Sequence, residues 1–268
     1  MRERDPSSAP GAAGPRIASL VPSLTELVVA LGLGPYLVAR TGFCIHPGEA
    51  LAAVPKVGGT KDVNLAKLRR LKPSHVLVNV DENRLDTVQA LHTFVPQVLV
   101  THPNAPRDNL ELMRQMEAAF GDMPVVRERA GALRDELLGE LAASAATAWP
   151  LQRVLYLIWR EPWMTVARDT YIAQMLATVN WQSEPDQRGG AAGAARYPLV
   201  EPDAPWLARV ERVLLSSEPY RFTHEDLAAA RELAPAAVPQ LIDAELVSWY
   251  GVRTAAGLRY LRVLAAPP

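Results

Sequence analysis

The sequence predicts an α/β protein built from two lobes that are joined by one long helix. Short β-like runs alternate with helical runs in the first part of the chain, and the same alternation returns in the last part. An uninterrupted helical pattern over residues 125–148 separates the two parts. Alternation of this kind is typical of parallel strands joined by crossover helices. The length of 268 residues suits about two ordinary domains.

The first lobe is predicted over residues 16–122. Its strands are expected at residues 16–21, 36–41, 75–79 and 97–100, and its helices at residues 23–33, 65–71, 84–94 and 109–120. Ser23 and Glu26 have the spacing of a capping box, which predicts the start of the first helix. Gly32 and Gly34 predict its end, because glycine is the usual residue beyond a helix C-terminus.

The connecting helix is predicted within residues 123–149. Val126, Ala130, Leu133, Leu137 and Leu141 recur at helical spacing, and charged residues occupy the other faces. At 1.5 Å per residue such a helix spans ~35 Å, about the size of a lobe. We therefore interpret it as a backbone helix that acts as a spacer between the lobes.

The second lobe is predicted over residues 150–268. Its strands are expected at residues 153–158, 212–216 and 237–242, and its helices at residues 170–179, 204–208, 224–233 and 255–264. The Gly- and Ala-rich residues 189–195 lack any periodicity and predict a surface loop.

Composition and motifs exclude several classes of function. The formal net charge of −1 gives no global attraction for nucleic acid, and no apolar stretch is long enough to insert into a membrane. Cys44 is the only cysteine, so neither an internal disulfide nor a cysteine zinc cluster is expected. The glycine-rich phosphate-binding motifs are missing, and we expect no nucleotide cofactor. The scattered histidines also argue against a dedicated zinc or manganese site. As to oligomeric state, we expect a monomer.

Residues 1–15 are predicted to be a disordered tail. They are charged and then rich in Ser, Ala, Pro and Gly, without the apolar core of a secretory signal. If Met1 is the native start, we expect a cytoplasmic protein; if an export signal has been removed, we expect a periplasmic or cell-surface protein.

Four aromatic residues are candidates for stacking on a large flat ligand. Trp159, Trp163, Trp249 and Tyr250 lie at or just after predicted strand ends. The carboxyl ends of parallel strands are where α/β sheets bind their ligands, so these rings are expected in a cleft. The alternative is that each tryptophan fills the core of a lobe.

Two further candidates lie in the loop after the second strand. His46 could coordinate a metal centre or hydrogen-bond an amide, and a structural turn histidine is the alternative. Cys44 could act as a thiolate ligand, although small buried cysteines are common.

Polar candidates follow other strands. Asp81, Glu82 and Asn83 come directly after the third strand and are expected at the rim of the cleft, and Asp243 follows the last predicted strand. A solvated surface loop is the alternative for each of them.

Several segments resemble the helical-backbone metal receptor group, the class III substrate-binding proteins of ABC importers, and in particular a cobalamin-receptor-like branch. The resemblance covers residues 16–264, and it rests on residues 16–26 (RIASLVPSLTE), Cys44-Ile45-His46-Pro47, Val57-Gly58-Gly59-Thr60-Lys61, Asn64-Leu65 with Leu71-Lys72-Pro73, and Ser248-Trp249-Tyr250-Gly251. It implies two Rossmann-like lobes that clasp cobalamin, another corrinoid or a related metal chelate. It also implies that the residue before Pro47 contributes a ring to the pocket.

Importing members of this group dock on a membrane permease through one acidic residue at the tip of each lobe. Ala66 stands at the first of these positions, and only Glu201 and Asp203 are available near the second. The sequence therefore predicts a relative that keeps the ligand cleft and has lost or altered its contact with an ABC permease.

The resulting hypothesis is a binding protein for a small-molecule chelate, with no catalytic residues. Two alternatives stay open. An enzyme could use the same cleft, with His46, Cys44 and Asp81 or Glu82 as acid, base or nucleophile. A ligand-free regulatory or interaction module is favoured if Trp163 and Trp249 fill the cleft.

Overall fold

The protein contains two four-stranded parallel sheets, as the computed structural model shows for residues 14–266. The first sheet consists of β1 Ile17–Ser19, β2 Leu37–Arg40, β3 His75–Asn79 and β4 Gln97–Thr101, in the order β2-β1-β3-β4. The second consists of β5 Gln152–Leu157, β6 Trp181–Ser183, β7 Arg212–Ser216 and β8 Val238–Ile242, in the order β6-β5-β7-β8. The two sheets thus share one topology, and the predicted two-lobed α/β fold is confirmed.

Ten α-helices cover the described part of the chain. They are α1 Pro22–Ala30, α2 Gly48–Leu51, α3 Leu65–Arg70, α4 Leu85–Leu91, α5 Asn109–Phe120, α6 Pro124–Ala145, α7 Tyr171–Ala177, α8 Leu227–Leu233, α9 Ala244–Ser248 and α10 Arg253–Ala265. Short 3-10 helices lie at Gly34–Tyr36, Pro106–Asp108, Ala194–Arg196, Pro205–Arg209 and His224–Asp226. Within residues 14–266, no helix combines the length and the apolar character needed to cross a membrane.

The central strands are buried on both faces. Val76, Leu77 and Val78 of β3 have no exposed surface, and the middle of β7 is equally buried. Parallel sheets have helices on both sides, so their strands are continuous apolar runs instead of alternating ones. Because both faces of each sheet are covered, the ends of the strands, where the loops begin, are the part of the sheet that can form a site.

Helix α6 connects the lobes and is packed along its length. It contacts α5 of the first lobe and α10 of the second. Val126, Ala130 and Leu137 are buried and join one hydrophobic cluster that also contains residues of both lobes. The expected spacer is therefore part of a continuous core, and it is slightly shorter than the predicted residues 125–148.

The first helix begins differently from the prediction. Val21 occupies the N-cap position without a side-chain hydrogen bond, and Pro22 starts the helix. Pro22 can do so because its fixed φ suits the first helical position and its missing N–H would be unpaired there anyway. Ser23 is buried and Glu26 pairs with Arg253 at 2.7 Å, so the predicted capping box was wrong.

The end of α1 and the short elements agree only in part with the sequence prediction. Gly32 has a φ of +82° just beyond the helix, as predicted, whereas Gly34 starts a 3-10 helix. The predicted helix at residues 204–208 is a 3-10 helix. Sequence analysis missed β6, α2 and α9, which have three to five residues each. The predicted tail falls almost wholly outside the described residues, and the lobe boundaries remain predictions.

The two lobes are joined by hydrogen bonds at the base of the cleft. The Asn109 side-chain oxygen accepts a bond of 2.6 Å from the backbone N–H of Gly251. Gly251 has a φ of +85°, and a Cβ there would lie 3.6 Å from Leu27, so glycine meets a conformational need at this junction. Arg253 adds a second link, because its guanidinium contacts both Glu26 and Glu245.

Candidate functional site

A cavity of about 730 Å³ lies between the carboxyl edges of the two sheets. This volume is within the range of about 300–1,000 Å³ typical of small-molecule sites. Residues from both lobes line it, and many of them lie within a few residues after the end of a strand. The location agrees with the general rule that ligands bind beyond the carboxyl ends of parallel strands.

Exposed apolar side chains from both lobes line this cavity. Phe43 is 64% exposed and Ile45 is 55% exposed on the loop after β2, and Trp159 is 41% exposed just after β5. Folded proteins usually cover such side chains unless they meet a ligand or a partner. These three residues form the apolar wall of the cavity.

Cys44 belongs to the same loop as Phe43 and Ile45 of the apolar wall, but it does not line the cavity. Phe43 and Ile45 line the cavity, and Cys44 between them is fully buried. The chain turns here after β2, and the backbone N–H of Cys44 donates to the Thr41 carbonyl at 3.4 Å. The thiol lies 3.1 Å from the Thr41 hydroxyl, and burial raises the pKa of Cys44, which disfavours a thiolate. The thiolate-ligand expectation therefore has no geometric support.

His46 borders the site without lining the cavity. Its Nε2 lies 3.6 Å from the Glu245 carboxylate, and its ring meets the Trp249 ring edge-on at 5.8 Å between centroids. Both partners line the cavity and belong to the other lobe. His46 is thus placed to position Trp249 and Glu245, and contact with a ligand remains a prediction.

The loop after β3 divides the predicted polar residues between two roles. Asp81 and Glu82 line the cavity. Asn83 is buried, and its amide donates to the carbonyls of Leu20 and Thr60. Asn83 thus holds the loop in place instead of reaching the cleft, because its hydrogen-bonding groups are already used by the backbone.

Asp81 is held by a buried arginine from the other lobe. Arg196 is only 1% exposed, and its guanidinium lies 3.1 Å from the Asp81 carboxylate. The same guanidinium donates to the Asn104 side-chain oxygen at 2.6 Å. His102 approaches the same carboxylate oxygen of Asp81, Oδ2, at 3.4 Å. These contacts fix Asp81 and connect the lobes at one end of the cavity.

Two carboxyl groups in the cavity have raised pKa values. Burial, followed by the negative charge of Glu218, raises the pKa of Glu82 to about 7. Burial also raises the pKa of Glu218, although hydrogen bonds from Trp249 and Ser248 partly offset this shift. Strongly shifted groups in a cleft are typical of functional sites.

Trp249 and Tyr250 form the floor of the cavity. The indole N–H of Trp249 donates to Glu218 at 2.5 Å, and the Arg253 guanidinium lies 4.6 Å from the indole ring centroid. Tyr250 is 6% exposed and contacts the Tyr171 ring edge-on. Both residues therefore line the cavity from fixed positions, as expected for preformed binding surfaces.

Trp163 and Asp243 lie away from the cavity lining. Trp163 packs on the core of the second lobe, with its ring parallel to that of Phe222 at 6.1 Å. Asp243 caps α9 by accepting from the backbone N–H of Leu246. Trp163 therefore follows the core alternative considered for it, whereas Trp159 presents its ring to the cavity.

Sequence reasoning missed several residues of the cavity. These include Phe43, Ile45, Met164, Tyr171, Tyr197 and Glu218. Glu218 could have been found by its position just after β7. The other central strands, β1, β3 and β5, are likewise followed by residues that line the cavity. The apolar residues carry no local signal: Tyr171 is the first residue of α7, and Phe43, Ile45 and Met164 lie outside the helices and strands.

The described residues offer no protein-built metal site. Among residues 14–266, no three His, Cys, Asp or Glu side chains are grouped so that they could hold a metal ion.

The chain is similar in sequence and in fold to known binding proteins. No family model matches it. The vitamin B12-binding protein of Vibrio vulnificus (strain YJ016) is 25% identical over 201 residues, which cover 75% of this chain and 71% of that protein. The solved structure of the periplasmic vitamin B12 binding protein BtuF of Vibrio cholerae superposes with a TM-score of 0.74 at 20% identity, covering 92% and 95% of the two chains.

A haem-binding protein is equally similar in fold. The periplasmic heme binding protein HutB of Vibrio cholerae superposes with a TM-score of 0.74 at 20% identity, over 94% of this chain and 99% of that one. The resemblance predicted from the sequence is confirmed. The chain is thus a relative of the vitamin B12-binding proteins and has the two-lobed fold of the class III periplasmic binding proteins of ABC importers.

Proposed function

We propose that this protein binds one flat, bulky tetrapyrrole of the corrinoid class in the cavity between its lobes. The observation that carries the proposal is the apolar wall, which brings Phe43 and Ile45 of one lobe and Trp159 of the other to the same cavity while leaving them exposed. A ring wide enough to contact both lobes would cover all three side chains. Burial of aromatic and apolar surface would supply most of the affinity.

The relatives support this class of ligand. The Vibrio vulnificus protein and the solved Vibrio cholerae protein are both named for vitamin B12 binding. Haem is the second candidate, because a haem-binding protein shares the fold to the same degree. Both ligands are flat metal-containing rings, and the apolar wall alone suits either of them.

The two other classes of function have less support. A thiol nucleophile is disfavoured by the burial and raised pKa of Cys44. A ligand-free module would have its cleft filled by Trp163 and Trp249, whereas Trp163 packs in the lobe core and the cavity stays open. The relatives considered above are all binding proteins.

Transport and location belong to the same proposal. Ala66 is exposed on α3, and the basic side chains of Lys67, Arg69 and Arg70 lie in the same helix. Glu201 and Asp203 are exposed on the second lobe. We propose that any contact with a permease differs between the two lobes.

The periplasmic structural neighbours favour an extracytoplasmic location, and they give no support to the cytoplasmic one.

The test is a titration of the purified protein with dicyanocobinamide, cyanocobalamin and hemin. Tryptophan fluorescence and the visible spectrum of each ligand report binding. We expect at least one corrinoid to bind at micromolar or lower concentration, about −8 kcal/mol or better. Replacement of Phe43 by Ala should weaken that binding by ~10-fold or more, because an aromatic contact with the ring is lost.

Cys44→Ala is the matched control in the same loop. Because Cys44 is buried, this variant should lower Tm and leave corrinoid affinity within ~3-fold of the parent. Absence of binding for both corrinoids would reject the corrinoid proposal, and tight binding of hemin alone would replace it with the haem candidate. Equal losses in the two variants would reject the assigned orientation of the loop.

A further inference from the structure

Four carboxyl groups line the cavity, two from each lobe. They belong to Asp81 and Glu82 of the first lobe and to Glu218 and Glu245 of the second. Within residues 14–266, the lining includes no Lys, Arg or His side chain. The polar part of this cavity is therefore acidic and accepts hydrogen bonds more readily than it donates them.

Two of these carboxylates are neutralised by arginine. Asp81 lies 3.1 Å from Arg196, and Glu245 lies 2.5 Å from Arg253. Each pair holds its negative charge in place and reduces the field that it exerts on the cavity. Asp81 and Glu245 are thus the framework of the polar surface.

The other two carboxylates have no such partner. In the described part of the chain, no Lys, Arg or His nitrogen lies within 4.0 Å of a Glu82 or Glu218 carboxylate oxygen. Among residues 14–266, the donors to Glu218 are both uncharged, the Trp249 indole and the Ser248 hydroxyl. Lys61 and Arg253 lower the pKa of Glu82 and Glu218 respectively from beyond ion-pair distance, so the protein compensates these charges only in part. Both carboxylates therefore remain acceptors for hydrogen-bond donors of a ligand.

The pair faces the cavity from equivalent places in the two lobes. Glu82 follows β3 and Glu218 follows β7, and these strands hold the same position in sheets of the same order. A ligand lying between the lobes would meet one carboxylate on each side. Their mutual repulsion contributes to the raised pKa of Glu82.

Within residues 14–266, two buried polar atoms beside the cavity lack a well-formed hydrogen bond. The Tyr250 hydroxyl belongs to a side chain that is 6% exposed and lines the cavity; Ser23 and Thr101 lie close enough to lower its pKa, yet neither makes a well-formed hydrogen bond with it. Oδ1 of Asp81 is the second such atom. Buried polar groups are nearly always hydrogen-bonded, so these two atoms keep unused hydrogen-bonding capacity at the border of the cavity.

We propose that Glu82 and Glu218 select tetrapyrroles whose edge carries carboxamides and reject those whose edge carries carboxylates. Amide N–H groups can donate to both carboxylates, and such charge-assisted bonds are stronger than neutral ones. Ligand carboxylates would instead face two negative charges that no ion pair neutralises, in a partly desolvated cleft. The inference rests on the proposed function, and it separates amide-bearing corrinoids from haem, which carries two propionates.

The test compares two ligands with the same ring, metal and axial groups. Dicyanocobinamide carries carboxamides at the ring edge, and dicyanocobyrinic acid carries carboxylates there. At pH 8 we expect the parent protein to bind dicyanocobinamide at least ~30-fold more tightly, because like charges at a binding surface are strongly unfavourable. The doubly substituted Glu82→Gln, Glu218→Gln protein should narrow this preference to ~5-fold or less.

Glu128→Gln is the matched control. Glu128 is exposed on α6 and lies outside the cavity lining, so its substitution removes one negative charge and should leave the preference unchanged. Circular dichroism checks folding of each variant, and the preference of the parent protein tests the proposal even if the double variant does not fold.

The outcomes separate this inference from the proposed function. Equal affinity of the parent for the two ligands overturns the inference and leaves corrinoid binding intact. A preference that persists in a folded double variant overturns the assignment to Glu82 and Glu218. Failure of both corrinoids to bind overturns the proposed function, and the inference with it.

Discussion

Glu82 is the residue at which burial and charge act together in the cleft. Burial raises the pKa of Glu82 to about 7 from its usual value of 4.5, and the nearby Glu218 adds to the shift. The folded protein therefore holds this proton more tightly than the unfolded chain does. The contribution of Glu82 to stability is full below pH 4.5 and is lost as the pH rises through about 7.

The pH dependence of stability tests this environment. Because Glu82→Gln cannot ionise, it should match the parent near pH 4.5 and exceed its free energy of unfolding at pH 8 by up to ~3 kcal/mol. Urea denaturation of both proteins at the two pH values measures the difference. The exposed Glu128→Gln control should show no such pH dependence, and a Glu82→Gln effect that is the same at both pH values would contradict the assigned pKa.

Residues after strand ends were partly predictable from the sequence. Asp81, Glu82, Trp159, Trp249 and Tyr250 were expected near the cleft and do line the cavity. The positions of Asp81, Glu82 and Trp159 follow from strand prediction, because parallel strands end at a common edge. Trp249 and Tyr250 instead follow α9, a helix that was not predicted. Their contact with a ligand remains a prediction.

Other site residues depended on geometry that the sequence does not encode locally. Whether Cys44 or its neighbours face the cavity depends on how the chain turns after β2, and no periodic pattern of the sequence predicts that turn. The choice of Trp159 over Trp163 depends likewise on how the chain turns beyond β5. Tertiary packing determines both.

At the scale of elements, α6 shows how one helix serves both lobes. Val126, Ala130 and Leu137 face a core shared by the lobes. Near the C-terminal end of α6, Glu140 contacts Arg262 of α10. Its periodicity made the helix predictable. In contrast, β6 has three residues, which is too short for any periodic pattern.

Two glycine substitutions test the local packing of helices. Gly139 lies inside α6, and an added Cβ would meet nothing within 4 Å. Gly139→Ala should therefore stabilise the protein by ~0.5–1 kcal/mol, because alanine loses less backbone entropy in a helix. Thermal unfolding measures the gain as a higher Tm.

Gly121→Ala provides the opposite case at the end of α5. Its Cβ would lie 2.2 Å from the Glu117 carbonyl oxygen, so the backbone must shift and Tm should fall. A lower Tm for Gly139→Ala, or an unchanged one for Gly121→Ala, would contradict the packing described for these helices.

At the scale of the whole molecule, two sheets of one topology meet at a cleft that their own connections hold in shape. The continuous core along α6, the Asn109–Gly251 hydrogen bond and the Arg253 ion pairs join the lobes at the base. Such links restrict hinge motion, so ligand binding should require only small closure. The account therefore expects a preformed slot.

A crystal structure of the protein with bound dicyanocobinamide tests this claim most directly. We expect a corrin ring between the lobes, in contact with Phe43 on one side and Trp159 on the other, with amide groups directed at Glu82 and Glu218. A ring bound outside this cavity, or one that contacts a single lobe only, would contradict it.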